Sequence, residues 1–240
     1  MKTTAFLILL LALVSCKTPS THDPDLIGWW SFEDASANLA PDHSVNILNA
    51  INKGAVQVEG KIGKALHFDG KSVLQIDYQP LLDSFPKGIT IAAWIKKDSA
   101  SLWNTIVSRE IGDGWSEYFG LAVNQNKALF SVDPDGKNYQ NVKAEETLLP
   151  DVWVHLAGTF DNETYKLYIN GKLIKSAVCK SQLHFIDQNP LLIGGNSNNQ
   201  NKTLVDCFVG TIDEVRIYKR TLTLPEIYNL SILTCNKLDQ

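Results

Sequence analysis

Apolar and polar residues alternate along most of the chain in short runs broken by Gly, Asn, Asp and Pro, with a period near two. Successive side chains of a strand point to opposite faces, so this pattern predicts many short, half-buried strands of a sandwich or barrel. The runs cover residues 26–32, 63–69, 72–78, 89–96, 106–108, 118–124, 128–132, 153–160, 164–169, 172–178, 191–194 and 210–218. Asp69-Gly70 and Asn170-Gly171 read as hairpin turns, Asp133-Pro134-Asp135-Gly136 as another turn, and residues 196–201 as a polar loop. Thr223-Leu224-Pro225-Glu226-Ile227 supplies an N-cap and a first-turn proline, the signature of one short helix.

The run 210–218 holds the most informative polar residue. Strict alternation puts Ile212, Glu214, Arg216 and Tyr218 on one face and Thr211, Asp213, Val215 and Ile217 on the other, leaving Asp213 in apolar company. A carboxylate there is costly to desolvate unless something binds it. Two readings stand: an edge position where Asp213 is solvated or accepts backbone N–H bonds, or a cation site that it shares with oxygens from elsewhere. Asp42, Ser44 and Asn46 place oxygen-bearing side chains at alternate positions of an irregular segment, which reads either as a surface loop held by its own hydrogen bonds or as a source of ligands to that cation.

The amino terminus changes the picture of where the chain resides. Lys2 leads into an apolar run, residues 5–14, too short to span a bilayer as a permanent helix. Residues 1–15 are expected to be a signal peptide. Leu13-Val14-Ser15-Cys16 resembles a bacterial lipobox, which implies lipidation at Cys16, a polar tether over residues 16–24 and attachment to a membrane of the cell envelope. An ordinary secretory signal with a chance cysteine is the alternative. Lys17 stands where such lipoproteins carry an aspartate when retained at the inner membrane, so the outer membrane is the expected location. One domain over residues 25–232 and a tail over 233–240 account for the rest.

A formal net charge of -4 and no dense run of Lys or Arg argue against nucleic-acid binding. Apart from Cys16, three cysteines remain; Cys179 and Cys207, each at a strand end, are expected to pair and leave Cys235 free. No short Cys or His spacing suits zinc.

Catalysis finds little to run on. Asp213 and Glu214 are adjacent on one strand and face opposite ways, Asp133 and Asp135 straddle a proline in a turn, and Glu110, Asp113 and Glu117 border a glycine-containing loop with no regular presentation. No Gly-x-Ser-x-Gly elbow is present, and His67 and His155 read as structural. Binding fits better. Trp103, Trp115, Tyr118 and Tyr139 fall in or near loops beside Asn104, Asp113, Asn138 and Gln140, the combination of flat rings and hydrogen-bonding groups that holds a sugar, although rings of this kind also fill sandwich cores.

Several blocks carry a family resemblance: Trp30-Ser31-Phe32-Glu33-Asp34, Ala65-Leu66-His67-Phe68-Asp69-Gly70, Ile89-Thr90-Ile91-Ala92-Ala93-Trp94-Ile95, Trp153-Val154-His155-Leu156-Ala157-Gly158-Thr159-Phe160-Asp161, Leu167-Tyr168-Ile169-Asn170-Gly171, and Gly210–Tyr218 with the helix after it. In this order they resemble the laminin-G-like, concanavalin A-like domains of bacterial secreted proteins. The resemblance implies an all-β, two-sheet antiparallel jelly-roll sandwich with adjacent first and last strands. It also implies a structural calcium held by Glu33 or Asp34, Asp42, Asn46 and Asp213, although Val45 and Ala50 stand where relatives commonly have glycine. A membrane-tethered, non-catalytic module that recognises a glycan or glycosylated partner is the leading expectation. A protein-adhesion module is the second, and a glycoside hydrolase the third.

Overall fold

The computed structural model describes residues 23–98, 103–111, 117–134, 136–198 and 203–233. In chain order its first strands are β1 (Leu26–Trp30), β2 (Leu39–Ala40), β3 (Ala50–Lys53), β4 (Val56–Glu59), β5 (Lys64–Asp69), β6 (Val73–Ile76), β7 (Ile89–Lys97), β8 (Trp103–Glu110) and β9 (Glu117–Asn124). There follow β10 (Lys127–Val132), β11 (Gln140–Lys143), β12 (Val154–Phe160), β13 (Thr164–Ile169), β14 (Lys172–Val178), β15 (Leu191–Ile193), β16 (Asn196–Asn198), β17 (Thr203–Val205), β18 (Val209–Tyr218) and one helix, α1 (Leu224–Ser231).

Two antiparallel eight-stranded sheets face one another. The first runs β14-β13-β12-β7-β18-β5-β4, with β1 also on β18; the second runs β11-β10-β9-β8-β15-β6-β3-β2. β18 organises the first sheet: Val209 to Ile212 pair with β5, Val215 to Tyr218 pair with β1, and β7 runs along its other side. Trp30 lies directly opposite Val215, so the two ends of the domain close on each other. Between the sheets lies the core, with Trp30, Phe68, Phe119, Phe130, Phe160 and Phe208 fully buried. The Trp30 indole donates to the Leu48 carbonyl at 3.0 Å, so its one polar atom is satisfied there. The expected all-β jelly-roll sandwich is what the chain forms.

The outer face of the first sheet is covered as well. α1 lays Ile227 and Leu230 against Ala92, Ala157, Tyr168 and Tyr218. At its start the Glu226 carboxylate accepts the Thr223 N–H at 2.7 Å and pairs with Arg220 at 2.8 Å. Arg220 in turn reaches Asp23 at 2.9 Å, tying the helix to the beginning of the domain.

Three expectations change here. The register of β18 against β7 shifts between Asp213 and Arg216, where Glu214 takes a φ of 53°. This bulge resets the alternation: Ile212, Val215 and Ile217 enter the core, whereas Asp213, opposite Trp94, shares the outer face with Arg216, opposite Ala92. The polar loop at 196–201 holds β16, which pairs with β17 in a small third sheet. Finally, no disulfide joins Cys179 to Cys207. Cys179 follows the edge strand β14 and donates its N–H to Glu163, while Cys207 bridges to Thr105 in the middle of the second sheet. The two strand ends that looked equivalent in sequence belong to different parts of the sandwich.

Candidate functional site

α1 covers part of the outside of the first sheet, and the outside of the second carries an open concavity. On β9, Phe119, Leu121 and Val123 enter the core, so the intervening Gly120 and Ala122 face away from it. Ala122 pairs with Thr105 of β8, and these small residues form a floor. Trp103, Glu117, Tyr139, Asn196 and Asp206 complete a cavity of about 650 Å³. Trp103 and Tyr139 stay 39% and 38% exposed, unusual for large rings beside a sheet, and present apolar surface to a ligand.

The polar groups of the cavity are placed by strand pairing. Between Arg109 and Glu110 of β8 the register against β9 slips by one residue, so Tyr118 is extra and Glu117 turns to the outer face. The Ser131 hydroxyl of the neighbouring β10 donates to Glu117 Oε1 at 2.7 Å, and the Asn196 amide approaches Oε2 at 3.5 Å. Asn196 is held by the Ser108 hydroxyl, which donates to its Oδ1 at 3.1 Å. Asp206 is set by its carbonyl, which accepts the Thr105 N–H at 2.8 Å. Burial pushes the Glu117 carboxyl up to about 6, assisted by the negative charges of Asp206 and Asp133 and opposed by hydrogen bonds from Ser131 and Tyr139. Burial also raises the Tyr139 phenol, with Glu117 beside it adding to the shift. A cavity with ring walls, a small-residue floor and carboxylate and amide groups at its base can stack a flat apolar face and accept hydrogen bonds from hydroxyls.

Of the aromatic residues expected to bind a ligand, Trp103 and Tyr139 are brought together here. Trp115 lies outside the described residues. Tyr118 is corrected: it is fully buried, its hydroxyl accepts the Ile186 N–H at 2.7 Å and donates to Asp187 at 3.0 Å, and its ring packs 4.7 Å from Phe185. The bulge that turns Glu117 outward sends Tyr118 inward, where it anchors the segment before β15. Glu117 and Asp206 were not expected as ligand-binding residues, whereas Asn196 belongs to the polar loop 196–201, which reads either as a source of hydrogen bonds to a ligand or as solvated. The signal in the sequence was the alternation of small Gly120 and Ala122 with large Phe119, Leu121 and Val123. Nor do Glu110 and Glu117 lack regular presentation, since they are opposite one another on β8 and β9. Glu110 is buried and accepts the Ser197 hydroxyl at 2.7 Å, so only Glu117 of the two lines the cavity.

The residues expected to hold calcium are each engaged in hydrogen bonds of their own. Asp42 accepts four: the N–H groups of Trp29, Ser44 and Leu48 at 2.8, 2.8 and 2.7 Å and the Ser44 hydroxyl at 2.7 Å. Asn46 donates to the carbonyls of Leu26 and Ile27 at 2.8 and 2.9 Å, and Asp34 meets His43 at 3.0 Å. Glu33 accepts the Lys64 N–H at 3.1 Å. Asp213 Oδ2 accepts the N–H groups of Lys61 and Ile62 at 2.8 and 2.9 Å, while the buried Oδ1 has no hydrogen-bond partner. Burial pushes this carboxyl up to about 8, against the pull of those two N–H groups. Calcium takes six to eight oxygens, and no group of three or more His, Cys, Asp or Glu side chains among the described residues converges to supply them. As a set, the five residues do not fit the ion.

Comparison with known proteins agrees with this architecture. The family model described as Laminin_G_3, concanavalin A-like lectin/glucanases superfamily, matches residues 68–228. Among curated proteins, pappalysin-1 of mouse is 24% identical over 184 residues, 68% of this chain, and human pappalysin-1 is 24% identical over 199 residues. The chain spans only 11% of the length of these relatives. Among solved structures, domain 4 of AbnA, a GH43 extracellular arabinanase from Geobacillus stearothermophilus, in complex with arabinotriose, superposes with a TM-score of 0.69 at 20% identity, covering 86% of this chain and 98% of that one. The binding domain of Paraclostridial Mosquitocidal Protein 1 gives 0.69 at 16% identity over 86% of this chain and 52% of its own. The binding domain of botulinum neurotoxin DC in complex with SialylT gives 0.63 at 15% identity, covering 88% of this chain and 52% of that one.

Proposed function

Because the chain belongs to the concanavalin A-like lectin/glucanase superfamily, whose members can bind or cleave, the choice rests on its own side chains, and we propose that it is a non-catalytic module that binds a glycan across the outer face of the second sheet. The carrying observation is the pair of part-exposed rings, Trp103 and Tyr139, bounding one cavity whose base offers Glu117, Asn196 and Asp206. A sugar ring stacks its apolar face on an indole or phenol while its hydroxyls meet carboxylate and amide groups. The complexes of structural neighbours with arabinotriose and SialylT support a glycan as the ligand class. Hydrolysis would need two carboxyl groups set across a scissile bond. Glu110, opposite Glu117 in register, is engaged with Ser197, and Asp206, the other carboxylate lining the cavity, is read as a second hydrogen-bond acceptor for the ligand. A protein partner is the second reading. One neighbour is a neurotoxin binding domain in complex with rat synaptotagmin II, and the same exposed rings would serve such an interface.

Binding measured by calorimetry tests the first reading. Trp103→Ala and Tyr139→Ala are each expected to weaken an oligosaccharide ligand by about tenfold or more, the size of a contact worth roughly 1.4 kcal/mol, with the melting temperature unchanged. Unaltered affinity in both variants would exclude this face. Attachment through Cys16 belongs to the same proposal, supported by the apolar run that precedes it. Labelled palmitate should enter the wild-type chain and not Cys16→Ser in a bacterial host, and equal labelling would refute the anchor.

A further inference from the structure

The base of the cavity is acidic, and its charge restricts which saccharides it can hold; this inference rests on the glycan-binding reading above. Among the described residues, the groups that face Glu117 are acidic or neutral. β10 and its end supply Ser131 and Asp133, the segment before β11 supplies Tyr139, β16 supplies Asn196, and the turn before β18 supplies Asp206. Glu110 of β8 lies opposite it in register. Among the described residues that line the cavity, none is lysine or arginine.

We propose that the site selects neutral saccharides over those carrying carboxylate or sulfate groups, with the Glu117 carboxylate accepting hydrogen bonds from adjacent ligand hydroxyls. A carboxylate has only acceptor positions and meets donors, which every neutral sugar offers. An acidic sugar would bring a further negative charge beside Glu117 and Asp206 in a part-buried setting where like charges repel strongly. Gly120 keeps the approach open: a Cβ there would lie 2.9 Å from Glu117 Oε1 and 2.8 Å from the Ser131 hydroxyl oxygen.

The sign of the pH dependence follows from the same contacts. Hydroxyl donors favour the charged form of Glu117, so affinity for a neutral sugar is greatest above about pH 6, the region to which burial moves this carboxyl. It falls as Glu117 takes up a proton below that value. An acidic ligand would show the reverse, binding better as the pH drops.

The test is an array of neutral, uronate-bearing and sulfated oligosaccharides probed with the full chain at pH 7.5. Calorimetry with the best ligand at pH 7.5 and 5.0 follows. Wild-type hits should be confined to neutral glycans and should weaken about tenfold at pH 5.0. Glu117→Gln should weaken the neutral ligand at pH 7.5 and flatten the pH profile, and Asp206→Asn, folded as judged by its melting curve, should admit the uronate counterpart. Hits that require a carboxylate or sulfate and vanish in Trp103→Ala would overturn the selectivity while leaving the glycan reading intact. So would a Glu117→Gln variant that binds the neutral ligand like wild type at both pH values. An array blank for every class would sink the glycan reading and this inference with it.

Discussion

Asp42→Ala is expected to lower the unfolding free energy by about 4 kcal/mol, because it removes a carboxylate that satisfies three backbone N–H groups and a hydroxyl in one turn. Asp42 is only 7% exposed and Leu48 8%, so the freed donors find little water. The turn also sets β1: Trp29 is bound to Asp42 through its own N–H, and the Ser44 hydroxyl donates to the Ile27 carbonyl at 3.2 Å. For a domain of this size the loss corresponds to a fall of about 10 °C in melting temperature. Asp42→Asn, which keeps one acceptor oxygen, should fall between the two. The account of Asp42 as a turn organiser further requires the same wild-type to Asp42→Ala gap with and without a chelator. A gap that closes on chelation would return Asp42 to a metal.

The second large effect concerns acid. His155 of β12 is 2% exposed, lies edge-on to Trp94 with ring centroids 5.4 Å apart, and has no hydrogen-bond partner at Nδ1. Burial first, and the Arg216 charge second, hold its imidazole down to about 3. A base whose folded value is depressed leaves the unfolded chain binding more protons. Its contribution is therefore intact above the unfolded value near 6.5 and is lost as the pH falls toward 3. At pH 4 the loss amounts to about 3 kcal/mol. Asp213 works the other way, since a carboxyl raised to about 8 stabilises at low pH and that contribution is lost as the pH rises through 8. The His155 effect is thus read as a difference. Relative to wild type, His155→Phe should gain about 3 kcal/mol in denaturant unfolding at pH 4 over its value at pH 7. A difference that does not change with pH would show that His155 is not held neutral by burial.

The parts of this molecule that were legible in its sequence are those governed by neighbours along the chain. The Asn170-Gly171 hairpin joins β13 to β14 as its turn residues require, and Thr223 and Glu226 open α1 as their spacing requires. Trp30 opposite Val215 was legible only through the order of blocks that resembles a family. Misreadings arose where one extra residue changed parity. The bulge at Glu214 put Asp213 on the face opposite to the one that strict alternation assigned, and the extra residue at Tyr118 exchanged the roles of Tyr118 and Glu117. A bulge is stabilised by its partner strand, so a single strand's periodicity cannot reveal it. At Asp42 and Asn46 the sequence left two readings open for another reason. Oxygens at alternate positions suit a cation and a hydrogen-bonded turn equally, and only the backbone path decides which they serve. Trp103 and Tyr139 were singled out because they fall near loops, close in sequence to polar residues such as Asn104, Asn138 and Gln140. Their convergence on Glu117 and Asp206 depends on three strands, β8, β9 and β16, and on the segments before β11 and β18.

The most direct test of the account is where a saccharide touches the folded protein. In a ¹H–¹⁵N titration with a glycan the chain binds, the Trp103 indole and the backbone amides of Gly120 and Ala122 are predicted to shift together, while the Trp29 and Trp94 indoles on the opposite sheet stay in place. Shifts centred on Trp29 and Trp94, with Trp103, Gly120 and Ala122 unmoved, would contradict it.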